Sequence, residues 1–130
     1  FITELFKSKG EIYFRKKENE ILKSLLSNNE NFVLSLGGGT PCYYNNHELI
    51  AQEGILSIYL KASVDTLVNR LIHETEKRPL LHNQDEVALK DFISKHLFDR
   101  NFYYHQATKV INVDNKTIEE IVKEIEVLLA

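Results

Sequence analysis

The 130-residue sequence contains no methionine, a single cysteine and no long apolar run. Since the lone Cys42 cannot form an internal disulfide, nothing indicates an oxidised, secreted scaffold. A membrane helix needs about 20 consecutive apolar residues, which no stretch provides. Residues 1–6 also lack the basic and then apolar layout of a signal peptide. Because the sequence has no initiating methionine, we expect it to be a fragment or a processed product that begins within a domain.

The charge balance is only weakly acidic. The formal net charge of -3 argues against non-specific binding to nucleic acid or to an anionic membrane surface. Apolar residues make up 43% of the sequence, enough for a folded domain with its own core. Since there is no repeat, low-complexity stretch or linker, we expect one domain over residues 1–130.

An apolar run that ends in three glycines is the most informative stretch. Residues 32–36 have the length and composition of a buried strand, and Gly37, Gly38 and Gly39 follow it directly. Glycine permits a sharp turn and a close approach of backbone to ligand, because it has no Cβ. Ligands of open α/β sheets bind beyond the carboxyl ends of the strands. The stretch predicts a ligand loop, although such a loop, taken alone, is more often only a turn.

Short apolar segments alternate with amphipathic helical patterns along the chain. Helical patterns cover residues 1–9, 11–27, 46–52, 62–72, 86–105 and 117–129, and strand patterns cover 32–36, 55–60 and 110–113. Ser63 is a plausible helix N-cap, and Thr117 with Glu120 forms a capping box. The alternation predicts an α/β fold with a parallel sheet.

The segment from about residue 73 to 86 is polar, with Arg78 and Pro79 near its middle. Its length is typical of a surface loop with its own task, and such loops are often lids. One interpretation is an ordinary loop held down by Leu80 and Leu81. The functional interpretation is a mobile lid that brings Arg78 to a transferring phosphoryl group.

Two other arginines also have a structural and a functional interpretation. Arg15 and Glu18 share one face of a predicted helix, and an isolated surface pair of this kind contributes little. Alternatively, Glu18 orients Arg15 so that the guanidinium binds an anion through two hydrogen bonds. Arg100 precedes three aromatic residues and, taken alone, is most often a solvated or salt-bridged side chain. The five histidines show no metal-ligand spacing.

Together, the order and spacing of these motifs resemble the shikimate kinases, a family in the nucleoside-monophosphate-kinase branch of the P-loop proteins. The motifs are Gly-Glu-x-x-Phe-Arg-x-x-Glu from Gly10, Leu-Ser-Leu-Gly-Gly-Gly up to Gly39, Arg-Pro-Leu-Leu from Arg78, and Arg100 followed by tyrosine and alanine. The resemblance implies a three-layer α/β/α parallel sheet of the P-loop kinase type. It also implies ATP-dependent, Mg²⁺-assisted phosphorylation of shikimate in chorismate and aromatic amino acid biosynthesis.

The resemblance further implies a role for each site residue. Those expected on the shikimate side are Arg15, Gly38, Gly39 and Arg100, with Glu18 orienting Arg15, Phe14 forming a wall and Gly37 beginning the loop. Those expected on the nucleotide side are Arg78, as the catalytic lid arginine, and Arg70 and Lys116, near the adenine.

The family's phosphate-binding loop, with its flanking strands and helix, has no counterpart in this sequence. That unit would supply the lysine and amides around the phosphates and the main Mg²⁺ ligands. We therefore expect this chain alone to be inactive. The resemblance implies that the full-length parent is a cytoplasmic monomer that acts on shikimate and ATP and binds neither nucleic acid nor membrane. Two alternatives stay open: a gluconate-type kinase of the same branch, and a kinase-derived binding module without catalytic activity.

Overall fold

The computed structural model describes residues 9–73 and 86–130, which fall into two compact units. The first unit contains residues 9–57 and 102–108, and the second contains residues 58–73, 86–101 and 109–130. The helix predicted near the start and most of the predicted lid, including Arg78, lie outside the described residues. Within the described ranges, no helix combines the length and apolar character that a membrane span requires.

Helix α1 (Glu11–Leu26) is the main element of the first unit and confirms the helix predicted over residues 11–27. It begins after Gly10, whose φ of 86° lies in the left-handed region that favours glycine. Leu22 and Asn19 are its buried residues. A short 3₁₀ turn (Thr40–Cys42) and helix α2 (Asn46–Leu49) follow along the chain.

The apolar run over residues 32–36 does not form the predicted buried strand. No residue in the described part of the chain pairs with it, and Val33 is 95% exposed. A strand needs a neighbour that completes its ladder of hydrogen bonds. Apolar composition shows only which side chains favour burial, so the prediction is wrong for this structure. The turn that follows is present, because the Thr40 N–H donates to the Gly37 carbonyl oxygen at 3.1 Å.

Two short parallel strands, β1 (Ile58–Lys61) and β2 (Lys109–Asn112), form the sheet of the second unit. Tyr59 pairs with Val110 in the middle of the ladder. The chain between the strands carries helices α3 (Val64–Ile72) and α4 (Glu86–Tyr104), as parallel pairing requires a crossover. The parallel ladder confirms the predicted α/β class, although β1 begins three residues later than predicted.

An apolar cluster on α3 and α4 forms the core of the second unit. Val68, Leu89 and Ile93 are its buried members, and each contributes about 1.5–3 kcal/mol by leaving water. The partly buried residues packed against them are Val64, Leu67, Leu71, Ile72 and Leu97. The amphipathic pattern predicted for residues 62–72 is therefore confirmed.

Both predicted helix N-caps are confirmed. The Ser63 hydroxyl accepts a hydrogen bond from the Thr66 N–H at 3.1 Å at the start of α3. Helix α5 (Ile118–Leu129) begins with the reciprocal bonds between Thr117 and Glu120 that define a capping box. Each bond satisfies a backbone N–H group that has no acceptor within the helix.

Candidate functional site

Arg15 on α1 is the central cation of the candidate site in the first unit. Only 13% of its side chain is exposed, and its Nη1 donates to Glu18 Oε1 at 3.0 Å. The spacing of three residues places both groups on one face of the helix. Because the pair is largely shielded from water, the bond fixes the plane of the guanidinium more firmly than an open surface pair would.

Two aromatic rings and a glycine surround the Arg15 guanidinium. Its Cζ lies 4.1 Å from the ring centroid of Tyr43 and 5.1 Å from that of Phe14, both within cation–π range. A Cβ placed on Gly39 would lie 2.7 Å from Arg15 Nη2. Gly39 has a φ of -87°, which any residue adopts. The close approach of the guanidinium, and not the backbone conformation, is therefore what requires glycine at this position.

Glu18 is held through both of its carboxylate oxygens. Oε1 accepts from Arg15, and Oε2 accepts from the Thr40 hydroxyl at 2.8 Å. Thr40 is buried, and it follows the glycine turn directly. Since rotation of the carboxylate would break one bond or the other, Thr40 and Glu18 together restrain the orientation of Arg15.

A buried pair of asparagines ties the segment that carries Thr40 to α1. Asn46 is fully buried, and its Nδ2 donates to the Thr40 carbonyl oxygen at 2.9 Å. Its Oδ1 accepts from Asn19 Nδ2 at 2.7 Å. A buried amide left unpaired costs about 1–3 kcal/mol. Because Asn19 is adjacent to Glu18 on α1, this network positions Thr40 against the helix that carries Arg15.

One side of the Arg15 guanidinium has no hydrogen-bond acceptor among residues 9–73 and 86–130. Nη2 has none, and Nε is buried without one. The Glu11 carboxylate approaches Nε only to 3.7 Å. Guanidinium nitrogens form a planar fork whose adjacent N–H groups match the two oxygens of a carboxylate. This arrangement can therefore bind an external anion while Nη1 stays on Glu18.

The glycine turn beside Arg15 offers further hydrogen-bond donors. The N–H groups of Gly37, Gly38 and Gly39 have no acceptor in the part of the chain that the structure describes. The three carbonyl oxygens, in contrast, are all engaged. They accept from the Thr40 N–H, the Tyr104 hydroxyl and the Cys42 N–H, in that order along the turn.

An apolar groove of about 240 Å³ lies between α1 and residues 34–37. Most of its lining is hydrophobic, including Phe14, Leu22 and Leu36, while Glu18 and Thr40 border it. Ligand pockets usually measure about 300–1,000 Å³. The groove lies only slightly below that range, but its lining is too apolar for a ligand with several hydroxyls, so it shields the Glu18–Thr40 bond better than it would hold such a ligand.

The other predicted site residues are not among those described in the first unit. Arg78 falls outside the described residues, and Arg100, which is half-buried, lies on α4 in the second unit. Arg70 is exposed in the last turn of α3, and Lys116 Nζ pairs with a Glu124 oxygen at 2.9 Å. The predicted site residues that lie together in the first unit are Phe14, Arg15, Glu18, Gly37, Gly38 and Gly39.

Asp114 joins the turn before α5 to the start of α3 within the second unit. The Ser63 backbone N–H donates to Asp114 Oδ1 at 3.0 Å. This bond is the main reason why the pKa of Asp114 lies below its usual value. A hydrogen bond with the Thr66 hydroxyl lowers the pKa further, and the nearby charge of Arg70 makes the smallest contribution. The charge of Arg70 therefore acts on the turn that also carries Lys116, the other residue predicted near the adenine.

Four residues that build the Arg15 site were not predicted from the sequence: Asn19, Thr40, Tyr43 and Asn46. Thr40 had one usable signal, a hydroxyl directly after a glycine turn. Tyr43 and Asn46 had none, because their partners on α1 are far away in the sequence; Asn46 and Asn19 are 27 residues apart. Such contacts depend on how the segments pack.

Comparisons with known proteins agree on one family. A family model for shikimate kinase (SKI) matches residues 1–130. The shikimate kinase of Flavobacterium johnsoniae is 56% identical over 129 residues, 99% of this chain and 75% of that protein. The shikimate kinase of Flavobacterium psychrophilum is 49% identical over 128 residues, which are 98% of this chain and 74% of that protein. The crystal structure of the shikimate kinase from Bacteroides thetaiotaomicron matches with a TM-score of 0.85 and 34% identity, covering 98% of this chain and 74% of that one.

Proposed function

This chain belongs to the shikimate kinase family, and we propose that its Arg15 site binds the carboxylate of shikimate. The family assignment confirms the predicted α/β fold of the P-loop kinase type. It also identifies the activity as ATP-dependent phosphorylation of shikimate, a phosphotransfer to an alcohol in aromatic amino acid biosynthesis. The chain spans about three quarters of the length of the relatives that it matches.

The unpaired side of the Arg15 guanidinium is the observation that carries the proposal. Nη1 is occupied by Glu18, whereas Nη2 and the buried Nε have no acceptor in the described residues. A carboxylate on these nitrogens would complete the hydrogen bonding of a largely buried cation. Charge-assisted hydrogen bonds of this kind are about twice as strong as neutral ones. Shikimate, as a small carboxylate with several hydroxyls, has the group that this site lacks.

The glycine turn suits the hydroxyl groups of the same ligand. The backbone N–H groups of Gly38 and Gly39 have no acceptor in the described residues, and we assign them to hydroxyl oxygens of the ligand, with Gly37 at the start of the turn. The ring of Phe14 forms a wall beside the guanidinium. From the resemblance we propose Arg100 as a second cation for the carboxylate. Backbone N–H groups can bind hydroxyl oxygens of a ligand whichever side chain the residue carries.

On the nucleotide side the proposal rests on the resemblance alone. We assign Arg78 to the phosphates, where its charge would stabilise the transferring group. Arg70 and Lys116 are assigned to the adenine side. The family uses ATP and Mg²⁺, but the described residues contain no cluster of three or more potential metal-ligating side chains. No residue in those ranges is therefore assigned to Mg²⁺, and cytoplasmic location and a monomeric state are carried over from the resemblance.

Replacement of Arg15 tests the proposed acceptor site. In the complete gene product, Arg15→Ala should raise the KM for shikimate roughly 10–100-fold, because charge-assisted bonds are lost. The KM for ATP should stay within about twofold, since the nucleotide is assigned to other residues. The primary amide of shikimate should have a much higher KM than shikimate in the wild type. In Arg15→Ala the two compounds should have similar KM values, because the cation that distinguishes them is gone.

Lys16→Ala is the matched control, because Lys16 is the exposed neighbour of Arg15 on the same helix. Its kinetics should equal those of the wild type. Equal losses for both substrates in Arg15→Ala would instead show that Arg15 has a structural role. A best acceptor other than shikimate, in a panel that includes gluconate, would overturn the substrate assignment.

A further inference from the structure

The hydroxyl of Tyr104, in the last turn of α4, donates a hydrogen bond to the Gly38 carbonyl oxygen over 2.6 Å. This distance lies toward the short end of the range for O–H···O bonds. Both residues belong to the first unit, although they are 66 positions apart in the sequence. Tyr104 is not among the residues assigned to bind the acceptor, although its hydroxyl contacts the glycine turn.

The bond acts on a peptide group that also carries a potential ligand donor. The carbonyl of Gly38 and the N–H of Gly39 belong to the same planar peptide, which is trans. In a trans peptide these two groups point in opposite directions. Restraining the oxygen on one side therefore aims the N–H toward the other side.

An external restraint matters here because the peptide joins two glycines. Glycine explores more backbone conformations than any other residue, so a Gly-Gly peptide rotates easily. Backbone donors hold the two neighbouring carbonyls, since Thr40 bonds Gly37 and Cys42 bonds Gly39. For Gly38, within the described residues, the Tyr104 hydroxyl is the donor. Removing that hydroxyl would free the central peptide of the turn while both flanking peptides stay anchored.

We propose that Tyr104 is a positioning residue for acceptor binding, which aims the Gly39 N–H at a hydroxyl oxygen of the acceptor. The proposal rests on the function proposed for the glycine turn. Hydrogen bonding at the carbonyl also polarises the N–H of the same peptide, which makes it a better donor. Tyr104 thus acts through the backbone and has no direct contact with the reacting atoms.

The neighbouring Tyr103 provides a matched control. Its ring packs edge-to-face on His47, at 5.1 Å between centroids, and on Phe102, at 5.3 Å. Its hydroxyl forms no hydrogen bond within residues 9–73 and 86–130. A change from tyrosine to phenylalanine therefore removes the same atom at both positions but breaks the bond to the glycine turn only at Tyr104.

The test compares Tyr104→Phe with Tyr103→Phe in the complete gene product. Tyr104→Phe should raise the KM for shikimate about 3–10-fold, the range for one lost hydrogen bond. The KM for ATP and kcat should stay within about twofold, and Tyr103→Phe should match the wild type. A panel of shikimate analogues that each lack one hydroxyl tests the same contact. In the wild type, the analogue that lacks the bound hydroxyl should have a higher KM than shikimate. In Tyr104→Phe that difference in KM should disappear for at least one analogue, because the N–H that binds the missing hydroxyl is no longer held in position. The amide resonance of Gly39 in a ¹H–¹⁵N spectrum should shift in Tyr104→Phe alone.

Two results would overturn the proposal. Unchanged shikimate kinetics in Tyr104→Phe would show that the bond does not influence acceptor binding. Equal increases in both KM values, together with a lower unfolding temperature, would show that the hydroxyl is only structural. If Arg15→Ala weakens shikimate binding and Tyr104→Phe does not, this inference fails alone. If neither does, the proposed acceptor site fails as well.

Discussion

The Cα of Gly39 packs directly against the guanidinium of Arg15, so that a Cβ there would lie 2.7 Å from Nη2 and 3.0 Å from Nη1. Both distances are well below van der Waals contact. The backbone of Gly39 is ordinary, with φ -87° and ψ -15°, so another residue can adopt it. What must move on substitution is the end of a long, flexible side chain. Folding and ligand binding are therefore separable at this position.

Gly39→Ala should displace Arg15 and leave the fold largely intact. We expect the KM for shikimate to rise about 10-fold or more, since the guanidinium leaves its contacts with Glu18 and Tyr43. The free energy of unfolding should change by less than about 1 kcal/mol. Steady-state kinetics and denaturant unfolding measure the two effects. Gly37→Ala should have a smaller kinetic effect, because its Cβ would meet Thr40 Oγ1 at 3.4 Å, an ordinary contact. Normal shikimate binding by Gly39→Ala would contradict the assigned position of the carboxylate.

Thr40→Val tests whether the second bond on Glu18 matters. Valine keeps the shape of threonine but removes the hydroxyl that donates to Glu18 Oε2 at 2.8 Å. The carboxylate then rotates more freely, and the KM for shikimate should rise about 3–10-fold while the KM for ATP is unchanged. Thr40→Ser should restore most of the affinity, because serine retains the donor. Thr108→Val, which removes an exposed hydroxyl paired with Ser57, should have no effect on either KM. A serine variant as impaired as the valine variant would show that loss of the hydroxyl does not explain the effect, because serine retains that hydroxyl.

Asp114→Asn should make the protein less stable at neutral pH, by an amount that disappears in acid. The bonds from Ser63 and Thr66 and the charge of Arg70 lower the pKa of Asp114 in the folded state. A group with a lowered folded pKa adds stability above its unfolded pKa, about 3.9, and loses it as the pH falls through the folded value. Denaturant unfolding from pH 7 to acid should therefore show the two curves converging below about pH 4. Asp65→Asn, at an exposed pair with Lys90, is the control and should have little effect at any pH. A constant gap between wild type and Asp114→Asn would show that charge is not the cause.

Much of the fold follows from local sequence. The helical course of α1, the amphipathic pattern of α3, the Ser63 cap and the Thr117 capping box are confirmed, because each depends on residues within a few positions of one another. The Arg15–Glu18 contact belongs to the same class, since the helix itself places residues three apart side by side. The apolar run over residues 32–36 marks the limit of such reasoning, because pairing requires a partner that composition does not specify.

The sequence by itself therefore determined the helices, their caps, the parallel α/β class and the motifs that identify the family. Only the tertiary structure decided what surrounds Arg15. It brought Thr40 to Glu18 across 22 residues and Tyr104 to Gly38 across 66. The physical reason is that helix periodicity and capping are satisfied within one or two turns of the chain. A side chain from a distant segment reaches its partner only after packing has placed both backbones.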